Sequence, residues 1–158
     1  MWRSILRTVG AIIAGIMVLA ALSFGIEAAA DPLMMHLFPQ VFPNADAVAH
    51  SVPGQVVMFV YTFLSIVAGG YVAAWIASTP VRRSGAPGTP VAREHPLRDV
   101  VIMGVIEALF TAWIMSTKFH QPLLHSCLVG IVVCIPSAWL GGILRVRTGK
   151  PKAIPQAA

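Results

Sequence analysis

Four long apolar stretches dominate this chain. They run over residues 9–30, 56–77, 100–117 and 123–144, and the segments between them hold nearly every charge. A bilayer core about 30 Å thick needs about 20 apolar residues per helix, and each stretch reaches or approaches that length. The pattern therefore predicts an all-α, polytopic membrane protein with four transmembrane helices.

Composition places the chain in the same class. Its 158 residues are 57% hydrophobic and only 11% charged, whereas a soluble domain has about 25% charged residues. The four spans leave one membrane domain, residues 1–148, and a tail, residues 149–158, predicted to be disordered and cytoplasmic. The net charge is +5, and the basic residues that produce it flank the spans and are not clustered on one helix. This distribution predicts attraction to the lipid bilayer and no nucleic-acid partner.

The distribution of basic residues predicts the orientation. Residues 31–55 contain no Lys or Arg. A four-span arrangement places one basic residue, Lys118, on the same side of the membrane as residues 31–55. By the positive-inside rule, both termini and a loop over residues 78–98 are cytoplasmic, in an up-down bundle of a bacterial inner membrane. The remaining basic residues share that side: Arg3, Arg7, Arg82, Arg83, Arg93, Arg98, Arg145, Arg147, Lys150 and Lys152.

The first stretch also has a second interpretation. Arg3 and Arg7 precede an apolar run, and Ala28, Ala29 and Ala30 form a small-residue motif of the kind that signal peptidase cleaves. Cleavage there would leave three spans with the amino terminus outside. The apolar run is longer than a usual signal core of about 7–15 residues, so we favour an uncleaved span, and intact mass distinguishes the two.

Rows of small residues predict where the helices pack. Small residues four apart let two helix backbones approach closely where lipid provides no hydrophobic drive between helices. Such rows occur in the second and fourth spans and predict helix-packing positions at Gly69, Gly70, Ala73, Ala74, Gly141 and Gly142.

Glu107 is the main candidate for an intramembrane polar site. An acidic side chain near mid-membrane costs about 2.5–3.5 kcal/mol on insertion scales, which favours a protonated or protein-facing group. Thr111 lies one turn further on the same face. Matching depths from the cytoplasmic side bring residues 69–71 and 134–137 to the level of Glu107, with Tyr71 and Ser137 as its candidate hydrogen-bond partners. A protonated residue that joins helices, a proton- or ion-coupling group and a contact to a partner subunit are the three alternatives.

Histidines gather on the predicted outer side, where Glu27, Asp31 and Asp46 also lie. Imidazole and carboxylate groups could bind a metal such as zinc, but no pair has a diagnostic spacing. Scattered interfacial histidines are the preferred interpretation, and we predict no metal site. The alternative outer cluster would contain His36, His50, His120 and His125.

The two cysteines predict no redox chemistry. Cys127 and Cys134 lie on one predicted helix, about 10.5 Å apart, which exceeds the reach of a disulfide, about 7 Å. We expect both to act as small apolar packing residues. The chain has no GxSxG, HExxH, Walker or dinucleotide fingerprint, so no cofactor and no enzymatic activity are predicted.

Three segments carry a family resemblance: residues 67–77, with their paired glycines, residues 23–27 ahead of Asp31 and Pro32, and residues 136–145. Their pattern resembles that of small uncharacterised bacterial four-helix integral membrane proteins. The resemblance implies a bacterial inner-membrane location and a four-helix fold, and it implies no activity for any residue.

Three functions are consistent with these features. The first is a non-enzymatic structural or accessory component that assembles through its glycine-rich helix faces, as a homo-oligomer or with a larger membrane protein. The second is an oligomeric small-solute or proton-coupled transporter or channel that uses Glu107 and Thr111. The third is an outer-face enzyme acting on lipid or quinone through Glu27, Asp31 and the histidines. We favour the first.

Overall fold

The computed structural model describes residues 2–79, 96–117 and 124–148, with side chains described for residues 5–79, 97–113 and 130–148. Helices form nearly all of these ranges, which contain no strand, so the all-α prediction is confirmed. The helices are α1 (Trp2–Leu37), α2 (Ala45–His50), α3 (Val52–Ser78), α4 (Pro96–Thr117) and α5 (Leu124–Thr148).

Three helix segments among the described residues are long and apolar enough to cross a membrane. They are Ile5–Leu37 in α1, Val52–Ser78 in α3 and Gly130–Thr148 in α5. The third predicted span, residues 100–117, corresponds to α4, which is not one of the three. The described chain therefore has the make-up of a multi-pass membrane protein with three candidate spans.

The first helix is longer than its apolar stretch. We expected an outer loop from residue 31, but α1 continues to Leu37 with Pro32 inside it. Proline lacks one backbone N–H, and the residues that follow it, including Met34 and Leu37, have good helix propensity. The Phe38 amide donates to the Met34 carbonyl at 2.9 Å, so backbone hydrogen bonding continues to the end of the helix.

The segment between α1 and α3 folds back onto the start of α3. Asn44 accepts a hydrogen bond from the Ala47 amide and caps α2, and Ser51 accepts one from the Gly54 amide and caps α3. Phe42 and Val48 are buried at 5% and 4% exposure. These two side chains anchor an otherwise exposed segment at one end of the bundle.

The core lies where α3 meets its neighbours. Helix α3 packs on α1 along one side and on α5 along the other, while α4 packs chiefly on α5 and also touches α3 and α1. Most large apolar side chains face outward, as expected for helices solvated by lipid. The buried cluster consists mainly of small and medium-sized residues: Leu19, Ile66, Ala73, Ala74, Val100, Met103, Cys134 and Ala138.

Contacts at the helix ends show which ends lie together. Arg7, near the start of α1, donates hydrogen bonds to backbone carbonyls of Ile76 and Thr79 at the end of α3. Val100, near the start of α4, lies against Gly142, near the end of α5. Each of these helix pairs therefore brings the beginning of one helix to the end of the other.

Candidate functional site

Glu107 lies where α4 and α5 approach each other closely. One turn earlier, Gly104 is buried, and a methyl group placed on it would lie 3.1 Å from the Ile135 Cα and 3.2 Å from the Ala138 Cβ. Glu107 itself is half-buried. The glycine thus brings the two backbones together and places the carboxyl group at the boundary between α4 and α5.

Three polar side chains meet at this boundary. Cys134 of α5 is only 3% exposed. Thr111 of α4 forms a side-chain hydrogen bond with the Cys134 thiol, and Glu107 interacts electrostatically with the same thiol. Glu107 and Thr111 lie one helical turn apart, so a single face of α4 presents both groups to Cys134.

This group of three can exchange a proton more readily than it can bind a metal. Glu107 can hold or release a proton, and Thr111 can donate or accept a hydrogen bond. A catalytic zinc needs three protein ligands and a structural zinc four, whereas Glu107 and Cys134 supply two. Among the residues whose side chains are described, no three His, Cys, Asp or Glu side chains come together in a way that could hold a metal ion.

The other two residues predicted for this site, Ser137 and Tyr71, have contacts of their own. Ser137 is fully buried and donates its hydroxyl to the Val133 carbonyl of its own helix at 2.6 Å. Tyr71 is half-buried, with the Arg145 guanidinium over its ring. The structure therefore groups Glu107 and Thr111 with Cys134, and it gives Ser137 and Tyr71 different partners.

The predicted packing positions on one side of α3 face α1. A methyl group on Gly69 would lie 2.7 Å from the Gly15 carbonyl oxygen, and one on Gly15 would lie 2.9 Å from the Gly69 carbonyl oxygen. Ala73 is fully buried, and its Cβ lies 3.0 Å from that same methyl position on Gly15. Because a methyl group at either Gly15 or Gly69 would come this close to the facing backbone, only glycine at these two positions permits the observed separation of α1 and α3.

The positions on the other side of α3 face α5. A methyl group on Gly70 would overlap the Ala138 carbonyl oxygen, and one on Gly141 would overlap the Val67 carbonyl oxygen. Ala74 is fully buried, and Gly142 packs against Val100 of α4. The six predicted packing positions are thus occupied within a single chain.

The C-terminal half of α1 carries a further polar contact that the sequence did not reveal. Glu27 and Asp31 lie one turn apart, and both interact electrostatically with Tyr61 of α3, which is 7% exposed. The hydroxyl of Ser65 donates to the Tyr61 backbone carbonyl at 2.7 Å. The sequence placed Glu27 in the first span and Asp31 in the loop after it. The extension of α1 to Leu37 puts both acids on one helix, and only the packing of α1 on α3 identifies Tyr61 as their neighbour.

Asp99 is a second residue that sequence reasoning passed over. It lies in the first turn of α4 and is 1% exposed. It adjoins the predicted span over residues 100–117 and lies one turn before the fully buried Met103 on the same helix face. A negative charge in a first turn also interacts favourably with the helix dipole. The four-residue spacing between Asp99 and Met103 could have predicted from the sequence that Asp99 is buried.

The histidines do not form a described cluster. His36 is exposed, and the His50 ring nitrogen Nδ1 lies 2.8 Å from the Asp46 backbone carbonyl one turn earlier. The side chains of His120 and His125 lie outside the described residues, as do those of Lys118 and Cys127. The predicted alternative cluster is therefore described for two of its four members.

Comparison with known proteins gives no match: no family model, no curated protein and no solved structure matches this chain.

Proposed function

We propose that this protein is a non-enzymatic structural or accessory component of a bacterial inner membrane, which assembles laterally with copies of itself or with a larger membrane protein. In this proposal α4 also spans the membrane, which gives four spans in all, the bundle has up-down topology, and both termini are cytoplasmic. The pairing of helix ends at Arg7 with Ile76, and at Val100 with Gly142, supports this arrangement. So does the charge distribution.

The observation that carries the proposal is a contrast between two sets of glycines. Those of α3 are packed inside the chain, whereas methyl groups placed on Gly10 and Gly25 of α1 would meet nothing within 4 Å. Glycine in a helix interior costs about 1 kcal/mol relative to alanine, so a free glycine implies a benefit elsewhere. Close approach of a second helix supplies that benefit.

The exposed glycines belong to a continuous surface, which we call the free α1 face and define by Gly10, Ala14, Ala21 and Gly25. All four are exposed or half-buried. Ala21 and Gly25 form a small-xxx-small pair, as do Gly10 and Ala14. The free α1 face thus offers another membrane helix the geometry that Gly69 offers to α1 within the chain.

Cross-linking and copurification from native membranes test the assembly. We expect the wild-type protein to form a defined complex, and Gly25→Leu to weaken it at least about tenfold, equivalent to about 1.4 kcal/mol. Gly130→Leu is the matched control, because Gly130 of α5 also faces open space but lies away from the free α1 face. Equal behaviour of the two variants, or a wild-type monomer at every protein-to-lipid ratio, contradicts the proposal.

The contact of Glu107 and Thr111 with Cys134 favours a second candidate function, proton-coupled transport by an oligomer. A carboxyl group held between two spans can change its protonation during a transport cycle. Proton or solute flux into proteoliposomes that Glu107→Gln abolishes would support this function. Flux unaffected by Glu107→Gln would leave Glu107 as a structural link between helices. The control variant is Glu27→Gln, which also removes one acidic group and should leave the flux unchanged.

A further inference from the structure

An arginine and a tyrosine form a separate polar arrangement where α3 and α5 meet. The Arg145 Cζ lies 6.0 Å from the centroid of the Tyr71 ring. This distance is at the outer limit of a cation–π interaction. Both residues are half-buried, so the guanidinium is held against the bundle while part of Arg145 remains accessible from outside.

The Arg145 charge lacks an acidic counterpart on either helix that forms this junction. Neither α3 nor α5 contains Asp or Glu anywhere in its sequence. Within the described residues, the Nε atom of Arg145 is buried and has no hydrogen-bond partner. A buried donor without an acceptor costs about 1–3 kcal/mol, and more when the group is charged. The Nε donor therefore lacks an acceptor among the described residues, and an anion bound to the guanidinium would supply one.

The surroundings indicate what kind of anion fits. Arg145 lies in the last turn of α5, beside Arg147, at the end of the helix that carries basic residues. Trp75 of α3, one turn after Tyr71, and Leu144 of α5, next to Arg145, are 53% and 42% exposed. A ligand with one anionic group and a long apolar part would satisfy Arg145 and cover Trp75 and Leu144 together.

We propose that the junction of Tyr71 and Arg145 binds the phosphate of an anionic phospholipid. The planar guanidinium donates paired hydrogen bonds to phosphate oxygens with favourable geometry, and anionic lipids are enriched in the cytoplasmic leaflet. The acyl chains lie along Trp75 and Leu144. The choice of the cytoplasmic leaflet rests on the proposed orientation, in which the end of α5 faces the cytoplasm, whereas the site itself is independent of assembly through the free α1 face.

Native mass spectrometry of the purified full-length protein, titrated with phosphatidylglycerol or phosphatidylcholine, tests the site. We expect the wild-type protein to retain one phosphatidylglycerol preferentially and Arg145→Gln to bind it at least about tenfold more weakly. Arg147→Gln removes the same charge from an exposed position and should cost about fivefold or less, the effect of one surface charge near a membrane. Equal losses in the two variants, or equal binding of phosphatidylcholine, would overturn the proposal.

A second pair of variants keeps the test decisive if Arg145→Gln does not fold. Arg145→Lys and Arg147→Lys both preserve the charge, so diffuse attraction predicts no change in either. The proposed site predicts that Arg145→Lys alone weakens phosphatidylglycerol binding, because lysine lacks the planar fork. Unchanged binding by Arg145→Lys would refute it.

A third arm identifies the source of the phosphate. Inorganic phosphate at the same concentration should fail to displace phosphatidylglycerol from the wild-type protein, and displacement would show that the site takes free phosphate and would refute a lipid site.

Tags at the two termini test the membrane orientation in a separate experiment. If they report the outer side while phosphatidylglycerol still binds through Arg145, the orientation fails and the binding site stands.

Discussion

Arg7 of α1 donates two hydrogen bonds to the backbone carbonyl oxygen of Ile76 in α3, from Nε at 3.2 Å and from Nη2 at 2.8 Å. The carbonyls in the last turn of a helix have no partner within that helix. Arg7 supplies one from another helix, and its positive charge lies at the negative end of the α3 dipole. The contact therefore both caps α3 and fixes the position of α1 along it.

Removing this cap should destabilise the bundle. We expect Arg7→Ala to lower the free energy of unfolding by about 1–2 kcal/mol, less than a fully buried charged hydrogen bond provides, because the contact is partly exposed. Arg147→Ala, at an exposed position on α5, should change it by less than about 0.5 kcal/mol. Denaturant unfolding in detergent micelles measures both, and equal effects would show that Arg7 contributes only its charge.

The glycines of α5 should differ sharply in tolerance. A methyl group on Gly141 would overlap the Val67 carbonyl oxygen, whereas one on Gly130 would meet nothing within 4 Å. Gly141→Ala should therefore destabilise the protein by about 1–3 kcal/mol, while Gly130→Ala should be neutral or slightly stabilising through better helix propensity. Thermal unfolding in one detergent compares them, and a stable Gly141→Ala variant would mean that α3 and α5 do not pack this closely.

Met103 should be the most sensitive large apolar residue of α4. It is fully buried, and its Sδ lies 2.5 Å from the position of a methyl group on Gly15, so it fills the space where α4 meets α1. Met103→Ala is expected to cost about 2–5 kcal/mol through lost contacts and a cavity. Leu109→Ala, on the same helix but 66% exposed, should cost far less. Comparable unfolding free energies for the two variants would contradict the placement of α4.

Cys134 should resist thiol reagents in the folded protein. Its side chain is 3% exposed and hydrogen-bonded to Thr111, and access of the reagent limits the reaction of a buried thiol. In a Cys127→Ser background, we expect a membrane-permeant maleimide to modify Cys134 at least about tenfold more slowly in folded than in denatured protein, a ratio equivalent to about 1.4 kcal/mol of protection. Mass spectrometry over time follows the reaction, and rapid labelling of the folded protein would exclude a packed α4–α5 boundary.

Much of the helical architecture follows from the sequence alone. The apolar stretch at residues 56–77 predicts α3 closely because no charge interrupts it, although the helix begins earlier, at Val52, after the Ser51 cap. The end of α1 was less predictable. The predicted span ended with the apolar run at residue 30, yet the helix continues through Pro32, which removes only one backbone donor, to Leu37.

The rows of small residues predicted which helix faces pack closely but not which helices they pack against. Their spacing identified the faces of α3 that can approach another helix, because the absence of a side chain is a local property of Gly69 and Gly70. It did not identify the partner. That Gly69 meets Gly15 and Gly70 meets Ala138 depends on the arrangement of the helices, which brings together residues far apart in the chain.

For the polar residues too, the sequence predicted which side chains share a helix face, and the tertiary structure determined their partners. From sequence, Glu107 and Thr111 could be placed on one face of α4, since helical periodicity determines which residues of a helix share a side. The choice of Cys134 over Ser137 and Tyr71 as their partner, and the pairing of Tyr71 with Arg145, was decided by the tertiary structure. Rotation of α5 about its own axis sets these contacts, and that rotation depends on packing against α3 and α4 together, which no single segment of sequence specifies.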